Sequence, residues 1–142
     1  MAVHLTVALQ QTIFGQMERS FPNEGGGFLV GKHEGENVII NDVIAVANVF
    51  ETEEQYHRYA MTPQNWAAME DQADALGLAL VGYYHSHPNA PAIPSDYDRV
   101  HALPNFVYVI TSVMKGQAVD QKVWLLKQDR SAFEAGTLVV QP

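Results

Sequence analysis

Polar and apolar positions alternate through Val3, Leu5 and Val7, after which Leu9, Ile13, Phe14 and Met17 recur at helical spacing until Phe21-Pro22 interrupts them. This predicts a short strand running into a first helix. Two apolar, β-branched stretches, Gly27–Lys32 and Val38–Val46, flank Glu34-Gly35-Glu36-Asn37, whose composition is that of a turn, so a hairpin is expected. Thr62 as N-cap, Pro63 at the first helical position and Gly77 as a stop predict a second helix from Pro63 to Leu76. Trp66, Met69, Ala73 and Leu76 form one stripe on it, which reads as core packing and carries no function. Leu78–Tyr84 is a continuous apolar run, as in a central strand covered on both faces, and two histidines follow at its end. Phe106–Val113 and Lys122–Lys127 predict two further strands joined by a turn around Lys115-Gly116, and Thr137–Val140 a last one.

The chain has 142 residues, 47% of them hydrophobic, which is enough for one domain with its own core, spanning residues 1–142. Eight Lys and Arg against sixteen Asp and Glu give a net charge of -8, with no basic stripe to follow a phosphate backbone, so nucleic acid is not an expected partner. Cysteine is absent, which removes disulfides, thiolate ligands and a cysteine nucleophile, and leaves His, Asp and Glu to hold any metal. No apolar run approaches the roughly 20 residues that span a bilayer, and the N-terminal residues lack a basic stretch followed by an apolar one. A cytoplasmic protein without a membrane partner is expected.

The chemistry concentrates in His85-Ser86-His87-Pro88 and, beyond a return punctuated by Pro91 and Pro94, in Ser95-Asp96-Tyr97-Asp98. Residues two apart in an extended segment point to the same side about 6.5 to 7 Å apart, so His85 and His87 can converge on one ion while Ser86 points away. Two imidazoles and a carboxylate suit Zn²⁺, and a catalytic zinc takes three protein ligands and keeps a fourth position open. The plainer alternative is one packed and one surface histidine. Ser95 and Asp98 also resemble a capping box that starts a short helix after Pro94. The two readings of that segment are compatible, because such a helix places Asp98 on its first turn, facing whatever the stiff Pro88–Pro94 loop folds back upon.

A zinc hydrolase needs a further carboxylate to move the proton. Glu24 is the candidate, at the mouth of an apolar strand among glycines that permit close backbone approach, although a single loop acid is ordinarily just solvated. Gly26-Gly27-Phe28-Leu29-Val30-Gly31-Lys32 begins like a phosphate loop, but His33 stands where Ser or Thr would hold Mg²⁺ and the interior is strand-like, so nucleotide binding is discounted. There is no H-E-x-x-H, and His4, His33, His57 and His101 have no partner spacing that implies a site.

Glu24, then His85-Ser86-His87-Pro88, then Pro94-Ser95-Asp96-Tyr97-Asp98 together resemble the signature of the JAMM metalloproteases, the catalytic MPN-domain (JAB) family, in its small prokaryotic form. The likeness extends to the glycine-rich strand ending in Gly31, to Asn48, to Gly77–Pro88 and to Tyr108-Val109-Ile110. What the resemblance implies is an α/β fold, a single MPN-like (cytidine-deaminase-like) domain with a curved mixed β-sheet flanked by helices. It implies one Zn²⁺ per chain on His85, His87 and Asp98 with water as the remaining ligand. Glu24 would act on that water as general base and then acid, and Ser95 would help stabilise the tetrahedral intermediate. It implies an isopeptidase or peptidase acting at the Gly-Gly terminus of a ubiquitin-like or sulfur-carrier protein. The brief stretch from Asp98 to Phe106 favours that small prokaryotic group, while Gly26 departs from it by standing where a cysteine is often found. A noncatalytic MPN scaffold that binds protein is the competing class, and its members typically lose one of these five positions. Acidic Glu51, Glu53 and Glu54 would suit a basic carrier face, or are simply a solvated surface.

Overall fold

The computed structural model describes residues 1–46, 50–52, 54–55 and 62–142. Asn48, Glu53 and His57, named above, lie outside them. In chain order the elements are β1 (Ala2–Thr6), α1 (Val7–Ser20), β2 (Gly26–Glu34), β3 (Asn37–Ala45), α2 (Pro63–Ala75), β4 (Ala79–Pro88), α3 (Asp96–His101), β5 (Val107–Met114), β6 (Gln117–Leu126), β7 (Phe133–Ala135) and β8 (Thr137–Gln141).

Each boundary has a local cause. The Thr6 hydroxyl accepts from the Leu9 amide and opens α1, so Val7 starts the helix instead of extending the strand. Thr62 caps α2 in the same way, with Pro63 next to it. Gly77, at φ 71°, ends α2 in a left-handed conformation that glycine adopts without strain. The β5–β6 turn places Lys115 and Gly116 consecutively at positive φ, the geometry whose twist matches a tight hairpin.

The strands form one mixed sheet in the order β7-β6-β5-β4-β2-β3-β1-β8. Pairs β4–β5, β1–β3 and β1–β8 are parallel and the rest antiparallel. The two edge strands are separated in sequence by Gly136 alone. The Gly136 amide donates to the Val123 carbonyl on β6, and the next amide, Thr137, donates to Met1 beside β1. One short terminal segment thus crosses from one edge to the other, and the sheet curves round to let it.

α1 packs one face of this sheet through Ile13 and Met17, against Val3, Leu29, Val81, Tyr84 and Val109. The other face gathers Phe28, Val30, Leu80, Tyr83, Tyr108 and Leu126, with Ala73, Trp66 and Met69 of α2. Leu76 does not join the predicted stripe. It is the C-cap residue, more than half exposed, and Leu78 reaches the cluster in its place. β4 does not end before the histidines but runs through them to Pro88, paired with β5 over its whole second half. β6 starts five residues earlier than predicted, because Gln117–Gln121 sets Ala118 and Val119 side by side instead of alternating and only hairpin pairing with β5 reveals it as strand.

Candidate metal and catalytic site

A register shift between Leu29 and Val30 leaves Val81 opposite no partner on β2, a bulge that resets which face β4 presents. Beyond it, strict alternation puts Tyr83, His85 and His87 on one face and Tyr84 and Ser86 on the other. Both histidines are buried, which excludes a surface position for either. Their Nε2 atoms are 3.2 Å apart.

The third group arrives on α3. Ser95 and Asp98 form the expected capping box: the Ser95 hydroxyl accepts from the Asp98 amide at 3.0 Å, and the Asp98 carboxylate accepts from the Ser95 amide at 2.9 Å. Cap and ligand position are therefore one arrangement. Asp98 Oδ1 lies 3.3 Å from His85 Nε2 and Oδ2 lies 3.4 Å from His87 Nε2, with all three side chains almost fully enclosed.

One ligand atom from each of the three side chains lies within 4.8 Å of the others, close enough to share a single ion, and two imidazole nitrogens with a carboxylate oxygen are a donor set that suits zinc. The tautomer fits as well. His87 Nδ1 sits 2.9 Å from the Pro91 carbonyl, which can only accept, so Nδ1 carries the proton and Nε2 presents its lone pair to the centre of the set.

Glu24 is buried, not solvated. It is anchored on both sides by backbone. Its amide and carbonyl pair with those of Phe50 at 2.6 and 2.8 Å. Next to it, the Gly25 amide donates to the Ser86 hydroxyl and the Ser86 amide to the Gly25 carbonyl, each at 3.0 Å. Gly26 is in register with His85, and continuing that register brings Glu24 level with His87. Gly25 has no room for a side chain, since a Cβ there would stand 2.3 Å from the Ser20 hydroxyl. Ser86 thus points away from the metal set, as expected, but it ties the acid's loop to the histidine strand. Nothing in residue type or spacing marks that role. Gln16 supports the same loop from α1, donating to the Gly26 carbonyl at 2.9 Å while accepting from the Tyr84 hydroxyl at 2.6 Å.

The tyrosines beneath the site are not proton-transfer groups. Burial pushes the hydroxyls of Tyr83, Tyr84 and Tyr108 far above their ordinary value, so they stay neutral throughout the physiological range. A cleft of about 310 Å³ opens beside Ser95, lined by Ile93, Pro94, Arg99, Trp124 and Phe133 among others. Of the other histidines, His33 is exposed on β2, His4 is half-buried on β1 and His101 stacks on Tyr97 with ring centroids 4.1 Å apart. Among the described residues, His85, His87 and Asp98 are the group able to hold a metal ion. The false phosphate loop is β2 throughout. No described helix is long and apolar enough to cross a membrane.

A curved mixed sheet carrying two histidines and a carboxylate around one point, with a buried acid tied beside them, defines an α/β domain built around a metal-binding set. The chain belongs to the prokaryotic homologs of the JAB domain, whose family model matches residues 6–127. It aligns over the full length of both chains with a JAB1/MPN domain protein from Archaeoglobus fulgidus, at a TM-score of 0.60 and 18% identity, which shows the MPN fold. It is 36% identical over 55 residues to a desampylase of Haloferax volcanii, covering 38% of this chain and 40% of that protein. It is 34% identical over 92 residues to a probable TtuB-protein conjugate cleaving protease of Thermus thermophilus, covering 65% of this chain and 57% of that one. The matched parts thus span between two fifths and three fifths of those curated relatives.

Proposed function

We propose that residues 1–142 form one zinc-dependent isopeptidase domain that hydrolyses the bond after the Gly-Gly terminus of a ubiquitin-like or sulfur-carrier protein, in the cytoplasm. The observation that carries this is the buried cluster of His85, His87 and Asp98, whose imidazole Nε2 atoms lie 3.2 Å apart with one Asp98 oxygen 3.3 Å from the first and the other 3.4 Å from the second, next to a buried Glu24. The names of the two relatives support the substrate class, since one is a desampylase and the other a probable TtuB-protein conjugate cleaving protease.

His85, His87 and Asp98 would hold one zinc ion. When bound, zinc supplies Lewis acidity, which lowers the pKa of water and polarises a carbonyl. The chain's own residues do the remainder. Glu24, enclosed and fixed by Phe50 and, through Gly25, by Ser86, takes the proton from the attacking water and delivers it to the departing amine. Ser95, which the cap to Asp98 holds beside the set, donates its hydroxyl to the oxygen that gains charge. A noncatalytic scaffold would have no use for an intact ligand set with a buried acid beside it.

The test is mass-spectrometric detection of cleavage of a sulfur-carrier or ubiquitin-like protein extended beyond Gly-Gly, with zinc-loaded wild type and Glu24→Gln. Cleavage after Gly-Gly by the wild type alone is expected. A chain that binds zinc one to one and leaves every such substrate intact would overturn the substrate class, and one that binds no zinc would restore the scaffold.

A further inference from the structure

Three consecutive backbone carbonyls in the loop between His87 and Asp98 each accept a hydrogen bond from a side chain. The Ala90 carbonyl accepts from the Ser112 hydroxyl at 2.6 Å, the Pro91 carbonyl from His87 Nδ1 at 2.9 Å, and the Ala92 carbonyl from the Trp124 indole N–H at 3.1 Å. The outer two donors come from different strands, Ser112 on β5 and Trp124 on β6, and Ser112 and Ala92 are buried. The loop's start is pinned too. Asn89, at φ 52°, donates its amide to the Val113 carbonyl and accepts from the Lys115 amide with its side chain.

The proline ring fixes φ at Pro91, so the direction of its carbonyl follows from how the peptide units on either side are held. Those units are the ones that Ser112 and Trp124 hold. The Pro91 carbonyl in turn fixes the His87 tautomer, and the same loop delivers Ser95 and Asp98. We propose that Trp124 and Ser112 are positioning residues for the metal set: they strap the loop so that Pro91 keeps the proton on His87 Nδ1 and Nε2 stays available as a ligand atom. This rests on the proposed metal site. Partners of this kind behind a ligating histidine typically govern affinity by about 10-fold to 100-fold.

The test uses the full chain with Trp124→Phe, which keeps an aromatic ring but removes the donor, and Ser112→Ala as an independent second variant should the first fail to fold. Nitrogen-15 NMR of the metal-free proteins reads the His87 tautomer. Competition against a chelator reads zinc affinity, and the visible spectrum of the cobalt-substituted protein reads ligand geometry. Expected are a single Nδ1-protonated form in the wild type, mixed tautomers in the variants, zinc affinity about tenfold weaker or more, and an altered cobalt spectrum. Variants that keep the wild-type tautomer, affinity and spectrum would overturn this inference alone. A wild type that takes up no zinc would overturn the metal site and this inference together.

Discussion

Asp98 uses one carboxylate for two tasks, accepting the Ser95 amide that caps α3 and facing both histidines. The tasks can be separated by mutation. Asp98→Asn keeps an oxygen to accept the cap, so unfolding in denaturant should shift little while zinc affinity collapses. Ser95→Ala should cost about 1 kcal/mol of stability through the lost cap, and slow cleavage as well. Similar zinc affinity in Asp98→Asn and wild type would remove Asp98 from the ligand set. Glu24→Gln should bind zinc normally and cleave about a hundredfold to ten-thousandfold more slowly, as measured by initial rates. The grouping of His85, His87 and Asp98 was legible in the sequence because their side-chain types suit a metal and their spacing is local, whereas Glu24 stands far upstream in the chain and its burial was not, since a single loop acid is ordinarily solvated. The contributions of Ser86, Gly25 and the Pro91 carbonyl were not, because they act through backbone groups or across strands, and a backbone carbonyl leaves no mark in residue type.

β4 is the element on which the site depends. Its bulge at Val81 sets the phase that turns both histidines to one face, and Gly82 lies directly after it. A Cβ at Gly82 would stand 2.0 Å from the Val107 carbonyl on β5, so Gly82→Ala has to part the two strands. About 1 to 3 kcal/mol of destabilisation is expected in equilibrium unfolding, with weakened zinc binding, and an unchanged midpoint would contradict the pairing. Elements with strong punctuation were read from sequence to within a residue or two: α2 from Thr62, Pro63 and Gly77, the β2–β3 hairpin from its glycine turn, α3 from its capping box. Misreadings fell where tertiary pairing overrides composition. The first half of β6, with no apolar alternation, is strand because β5 holds it, and β7 is a three-residue strand with no periodicity to detect.

At the scale of the whole molecule, the terminal segment that crosses at Gly136 joins the two edges of the sheet, which an argument from strand order alone does not foresee. Deleting residues 137–142 would bare β1, with its buried Val3 and Leu5, as a new edge. A lower thermal midpoint and concentration-dependent association in light scattering are expected. Zinc should stabilise the whole chain through the same linkage that any native-state ligand obeys, by about 2.7 kcal/mol at a hundredfold excess over its dissociation constant, and His87→Ala should lose that gain. The decisive measurement is the initial rate of Gly-Gly cleavage as zinc is titrated into the chelated chain. The rate should rise in proportion to bound zinc and saturate at one ion per chain, while Glu24→Gln fills to the same level without cleaving. Cleavage that persists in the metal-free chain, or that proceeds normally in Glu24→Gln, would contradict the central claim.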